Sequence, residues 1–283
     1  DGLIDGEKWT GEITFSFGYG VTSGQLDSLG AIFLGYHEDS GDEWGPPLEL
    51  YGSVASLIGV DVKRSPPVSY GDEGYPRYAN DGDIRIQNGT GFDLRYYANP
   101  PSVGSVTFNS SLNNFNSRTV VGNEQHLVYL EAVGHALGLK SASEVGGIAD
   151  IAVPADRDSL EYTVMSERSY VGGPKGDGAY TTGEWDNPQT FMALDIQALQ
   201  KLYGADYTTN ATNTTYTWDP STGAMSVNKV KQGGLGEYLG IDKNGYINPL
   251  FATNANKIFL TIWDGVGNRT ETDVERFRTV TRM

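Results

Sequence analysis

Polar and apolar residues alternate along residues 11–17 (Gly-Glu-Ile-Thr-Phe-Ser-Phe), the period of a half-buried strand. Asp83-Ile84-Arg85-Ile86 and Ser105-Val106-Thr107-Phe108-Asn109 carry the same signal and predict two more short strands. From Leu48 to Ile58 the apolar residues recur at roughly helical intervals, with Gly59 as a C-terminal cap. Asn123 predicts the N-cap of a helix running to about Leu137, with Leu127, Leu130, Val133, Gly134 and Leu137 as its buried stripe. Asn187-Pro188 predicts the start of another, because proline suits a first helical turn. Phe191, Leu194, Ala198 and Leu202 would line its inner face, and Gly204 would close it. From Thr208 onward, asparagine, threonine and glycine alternate with aromatic strand fragments and no helical period returns. The pattern predicts an α+β unit over residues 1–207 and a β-rich segment over 208–283.

Composition narrows the function classes. A chain of 283 residues can bury a substantial core, and it has no long uncharged apolar run of the kind that spans a membrane. The opening Asp1-Gly2-Leu3-Ile4-Asp5 lacks the basic and apolar pattern of a signal segment. There is no cysteine, which removes disulfides, thiolate metal sites and thiol nucleophiles. A net charge of -16 argues against a nucleic-acid partner, since phosphate binding needs a basic face.

Candidate chemistry concentrates in Tyr129-Leu130-Glu131-Ala132-Val133-Gly134-His135-Ala136-Leu137-Gly138-Leu139. The zinc-protease pattern HExxHxxGxxH places two histidines on one helical face, a glutamate that activates the metal-bound water, and a third histidine beyond a glycine turn. His135 and Gly138 hold their places in that frame. Glu131 stands at the first histidine, Ala132 at the general base and Ser141 at the third histidine. Residues four apart share a helical face, so Glu131 and His135 point to one site. Tyr162-Thr163-Val164-Met165-Ser166-Glu167 predicts a methionine-containing turn beneath it. Taken alone, Met165 reads equally as a core gap-filler.

Several blocks, in order, resemble the serralysins, secreted bacterial zinc metalloproteases of the metzincin group. Glu7 to Gly11 followed by Ile13 to Phe17 resembles the family's opening strand. Gly82 to Ile86 and Val106 to Ser110 resemble its sheet strands. Tyr129 to Leu139 is similar to its metal helix and Tyr162 to Ser166 to its methionine turn. Leu194 to Ala205 resembles the helix that ends its catalytic domain, and Asn256 to Gly265 the entry to its C-terminal β-roll. The resemblance implies a metzincin-like fold, a twisted mixed sheet packed on helices, followed by a short β-rich segment.

The departures fall on the chemical positions. Glu131 and Ser141 replace two ligands, Ala132 replaces the base, and Glu167 replaces the family's tyrosine after the turn methionine. Gly134, Leu137, Gly138 and Met165, which carry structure, remain. A zinc site of this type needs three protein ligands and an open position, and loss of a general base removes roughly 10²–10⁴-fold of rate. The expectation is a catalytically inactive, serralysin-like protein reused for binding or assembly, with no resident cofactor. The alternative is a metalloenzyme that holds zinc or another divalent ion on Glu131, His135 and Glu167. In the bland version of the first reading, the two glutamates are solvated or paired with Arg168 or Lys140.

The tail after Trp263-Asp264-Gly265-Val266-Gly267-Asn268 shows no GGxGxDxUx nonapeptide array, so calcium binding and the associated export are not carried over. The resemblance implies an extracellular setting or a secreted assembly, and a protein partner. His37-Glu38-Asp39-Ser40-Gly41-Asp42-Glu43 reads as a solvated acidic loop. Asn88, Asn109, Asn210, Asn213 and Asn268 sit in sequons of the kind that arise by chance. His126, nine residues before His135, reads as a surface residue. The tyrosines at 70, 75, 78, 96 and 97 offer a recognition surface.

Overall fold

The computed structural model describes residues 1–18, 20–35, 52–65, 67–70, 76–78, 81–112, 121–176, 180–183, 185–211, 213–219, 225–231, 258–265 and 277–282. The acidic loop at His37 to Glu43, Tyr75, and the residues from Val266 to Asp273 lie outside them, as do the first residues of the helix expected from Leu48.

A five-stranded mixed sheet positions the site. It contains β1 (Ile13–Phe17), β2 (Val62–Arg64), β5 (Ile84–Gly89), β6 (Tyr96–Ala98) and β7 (Ser105–Asn109), in the order β2-β1-β5-β7-β6. Every neighbouring pair is parallel except β6 with β7, where Tyr96 faces Phe108 and Ala98 faces Val106. Two small strands, β3 (Pro67–Tyr70) and β4 (Pro76–Tyr78), pair apart from it. Ile13, Phe15, Ile84, Ile86, Val106 and Phe108 are fully buried, the inward half of the alternation.

Helix α1 (Ser23–Leu34), which the sequence reading left unassigned, starts at a reciprocal Thr22–Gln25 capping box and ends at Gly35. The element expected from Leu48 is described as the short helix α2 (Val54–Leu57). Helix α3 (Glu124–Ala136) begins where expected: the Asn123 side chain accepts from His126 N at 2.7 Å. Helix α4 (Ala193–Tyr203) starts later than Asn187-Pro188 predicted. Asn187 is instead tied to Gly122 through its backbone and side chain, and Asp195 supplies the cap by accepting from Met192 N at 2.9 Å.

The chain after α4 contributes strands among the described residues: β8 (Tyr216–Trp218), β9 (Met225–Val227), β10 (Val230–Lys231), β11 (Ile258–Trp263) and β12 (Phe277–Arg282). Met225, Val227, Ile258, Leu260 and Ile262 form a second, smaller apolar cluster. Trp263 packs into the main core instead and donates its indole N–H to Asp206 O at 2.9 Å. The architecture is a mixed sheet on few helices, compatible with the α+β class. No helix among the described residues is long and apolar enough to cross a membrane.

Candidate functional site

Helix α3 has two buried sides. Its stripe of Leu127, Leu130, Val133 and Leu137 is at most 2% exposed and packs in the core. Glu131 and His135, one turn apart, instead look out between β6 and the turn that follows Met165. They line a cleft of about 350 Å³ together with Leu94, Arg95, Tyr96, Tyr97, Glu167 and Tyr180.

The end of α3 is built to hold His135 still. Leu139 N–H reaches back to Gly134 O at 3.0 Å and Gly138 adopts φ +94°, a turn that favours glycine. A Cβ at Gly138 would also collide with Glu7 O. Trp9 Nε1–H donates to Ala136 O at 2.9 Å, and the Tyr203 hydroxyl donates to Leu137 O at 2.7 Å, so the last carbonyls of the helix are satisfied. Within this turn His135 Nδ1 lies 2.9 Å from Leu139 O. A carbonyl only accepts, so Nδ1 carries the proton and the neutral ring presents its Nε2 lone pair to the cleft. Burial holds the imidazole below its ordinary pKa, against the opposing pull of Leu139 O and of the Glu144 and Asp5 charges.

Tyr96 closes the other side. Its ring centroid is 6.3 Å from that of His135, and its hydroxyl donates to the Glu131 carboxylate. Burial, then the Glu131 charge and that hydrogen bond, push the Tyr96 phenol well above its usual pKa. The Tyr180 hydroxyl donates to Ser166 O at 2.9 Å, and Arg95 is paired with Glu124 at 2.8 Å.

The methionine turn is fixed by a buried carboxylate that sequence reasoning missed. Asp195, fully buried, accepts from the Thr163 hydroxyl, from Val164 N at 2.8 Å and from Met192 N at 2.9 Å. Burial pushes its pKa up to about 7, while these hydrogen bonds oppose the shift. One side chain thus joins the turn to the start of α4. The only advance signal was an acidic residue at the third position of a helix. Met165 itself is fully buried, and its O accepts from Ala142 N at 2.9 Å.

Glu131, His135 and Glu167 do line one cleft. Among the described residues, however, no three His, Cys, Asp or Glu side chains gather closely enough to hold a metal ion. Ala132 is fully buried in the core and Ser141 is absent from the cleft wall. The ion pairs considered for the two glutamates are not made with the expected cations. Arg168 pairs with Asp158, at 3.1 Å from Nε to Oδ2, and Lys140, only 2% exposed, donates to Glu144 O and Ile151 O. His126 corrects a further expectation. It is 1% exposed, with Nε2 3.1 Å from Gln189 O, and burial lowers its pKa to about 4.

No family model matches the chain. It is 26% identical over 231 residues to Serralysin B of Dickeya chrysanthemi, covering 79% of this chain and 41% of that protein. It is 27% identical over 202 residues to Serralysin of Proteus mirabilis, covering 67% and 35%. It is also 27% identical over 170 residues to Metallopeptidase AprA of Pseudomonas marginalis, covering 56% and 27%. The matched region spans 41% or less of the length of each of these proteins. The relationship is distant, and it suggests a metallopeptidase-like fold of serralysin type.

Proposed function

We propose that the chain is a serralysin-like protein that has given up peptide hydrolysis and uses its cleft or outer surface for binding or assembly. The observation that carries this reading is the state of α3. The general-base position is Ala132, buried in the core, and the first ligand position is Glu131, whose carboxylate already accepts the Tyr96 phenol. The alanine has no group to take a proton. Among the described residues no three ligands gather as a zinc centre would need, so no hydrolytic step is routed through one.

The same reading divides the chain near residue 207 into a serralysin-like unit and a β-rich segment, and places it in an extracellular setting or secreted assembly with a protein partner. It includes neither a calcium site nor a nucleic-acid partner, the latter because of the net charge of -16. Incubating the zinc-supplemented chain with casein and with a quenched peptide tests it directly. No cleavage beyond a chelator-treated control is expected; turnover abolished by His135→Ala would overturn it.

One observation favours the metalloenzyme reading. The His135 Nδ1 contact with Leu139 O is the second bond that orients many metal-bound histidines. Elemental analysis of protein purified without chelator separates the two readings. A stoichiometric divalent ion that is lost in both His135→Ala and Glu167→Gln establishes the second; its absence leaves the first.

A further inference from the structure

We propose that residues 2–9 are a detachable strap whose docking sets which nitrogen of His135 carries the proton, and so whether that ring offers the cleft an acceptor or a donor. This rests on reading the cleft as a binding site, but its tests use no ligand.

The strap is held by distant parts of the chain. Leu3 O accepts from Lys140 N at 2.9 Å, Asp5 N donates to Gly138 O at 3.0 Å, and Ile4 bridges Leu139 between them. Ile4 O also accepts from Ile148 N at 3.3 Å. Trp9 Nε1 donates to Ala136 O at 2.9 Å, and its backbone N to the Tyr203 hydroxyl at 3.3 Å. Glu7 Oε2 accepts from Ser102 N at 2.9 Å, in the turn between β6 and β7. The Trp9 ring lies against Gly104 at the end of that turn, where a Cβ would stand 2.6 Å from it. The strap therefore joins the end of α3 to the turn that follows β6, and those two elements wall the cleft.

Its construction lets it come away as a unit. Leu3 and Ile4 anchor one end in the core and Trp9 is partly buried at the other, while Gly6, Glu7 and Lys8 between them are exposed. Thr10, Gly11 and Glu12, also exposed, connect it to β1. Gly11 sits at φ +79° with nothing within 4 Å of where a Cβ would stand, so this joint can turn without disturbing the sheet. A segment with few buried side chains and with hydrogen bonds near the surface opens at lower cost than the core. The body of α3 stays in place because β6, β7 and α1 pack against it.

Detachment acts on His135 through the turn that follows it. Ala136 O and Gly138 O lose their strap donors, Lys140 N–H loses its acceptor and Leu139 loses its bridge to Ile4. Leu139 O is the group that holds the proton on His135 Nδ1. Once that carbonyl moves, the proton distributes between the two ring nitrogens. With the strap docked the cleft meets an Nε2 lone pair; with it detached, the cleft meets an Nε2–H for part of the time.

Native-state hydrogen exchange and nitrogen–proton spectra of the imidazoles, taken on the full chain at mildly alkaline pH, test the proposal. In the parent, the amides of Asp5, Lys140 and Ile148, whose bonds cross between strap and body, should exchange as one group at least about tenfold faster than those of β5. His135 should show a single tautomer, protonated at Nδ1. Ile4→Asp places a carboxylate at a buried anchor and is expected to speed exchange at Leu139 and Lys140 by about tenfold or more, with β5 unchanged. It should also give His135 a mixed tautomer. Trp9→Phe keeps an aromatic ring and removes the indole donor, so it should move both readouts the same way and serves if Ile4→Asp does not fold. Strap amides that exchange in step with β5 would make the strap part of the core and overturn the proposal. So would a His135 tautomer that is unchanged in a variant whose strap exchanges freely, which is the result a purely structural strap would give. Cleavage of casein would count against the non-hydrolytic reading alone, since neither readout here depends on it.

Discussion

The sulfur of Met165 lies in the space that Gly134 leaves open: a Cβ built on Gly134 would stand 2.7 Å from Met165 Sδ. The helix and the turn are thus in contact through the absence of a side chain. Both residues belong to the part of the motif that carries structure, and each restricts the other.

Gly134→Ala is therefore expected to destabilise the protein, although alanine gains about 1 kcal/mol over glycine in a helix. Overpacking costs roughly 1–3 kcal/mol, so after that gain a net loss of up to about 2 kcal/mol should appear in urea unfolding. Gly134→Ala combined with Met165→Ala should lose less than the sum of the two single variants, because removing the sulfur relieves the clash. A Gly134→Ala variant as stable as the parent would show that the methionine yields freely.

Asp195 and His126 give opposed pH dependences. The folded-state pKa of Asp195 is raised from 3.8 to about 7, so the folded chain holds the proton more tightly there, and this contribution to stability falls as pH rises across that window. That of His126 is lowered from 6.5 to about 4, so its contribution rises with pH between those values. They are on the order of 4 kcal/mol for Asp195 and 3 kcal/mol for His126. Relative to the parent, Asp195→Asn should make stability climb more steeply from pH 4 to 6.5, and His126→Gln should make it climb less. Denaturant midpoints taken along that range check the signs. Equal slopes in the two variants would refute the assignment.

Lys140 holds the stretch that follows α3 by donating to Glu144 O and Ile151 O from an almost fully buried position. Lys140→Met keeps the stem and removes the donors, leaving two carbonyls to find water. The expected result is faster cleavage between residues 141 and 152 under limited proteolysis, with far-ultraviolet dichroism unchanged. Unaltered protease resistance would mean the loop is held by its other contacts.

Removing the Asn123 cap by Asn123→Ala should cost about 1 kcal/mol, because His126 N–H then loses its acceptor at the start of α3. Thermal unfolding measures it. The same loss in Asn123→Ser, whose hydroxyl can also cap, would place the effect elsewhere.

Much of this architecture was legible where short-range rules decide it. Strands β1, β5 and β7 follow from alternation, and α3 from Asn123 and its apolar stripe. The start of α4 was misplaced because Asn187 and Pro188 look like a cap and first turn, whereas Asn187 is consumed by a contact with Gly122, 65 residues away. Helix α1 escaped notice, although Thr22 and Gln25 carry a capping-box signature. His126 was expected at the surface because it lies opposite His135 on the helix. It is buried because the segment around Gln189 covers that side as well. At the site, helical spacing put Glu131 beside His135. Nothing in the spacing could show that Tyr96, from the sheet edge, would take one side of that carboxylate.

The clasp of residues 4–9 on the end of α3 has a consequence for the order in which the chain comes together. Ile4 bridges Leu139, Trp9 reaches Ala136 O and Lys8 reaches Leu202 O, closures of well over a hundred residues each. Such long closures carry their entropic cost before any contact offsets it. On a ribosome residues 4–9 emerge before α3 and α4 and must wait for both before the clasp can close. The end of α3 that carries His135 is finished only when residues 4–9 meet it and Lys8 reaches Leu202 at the end of α4.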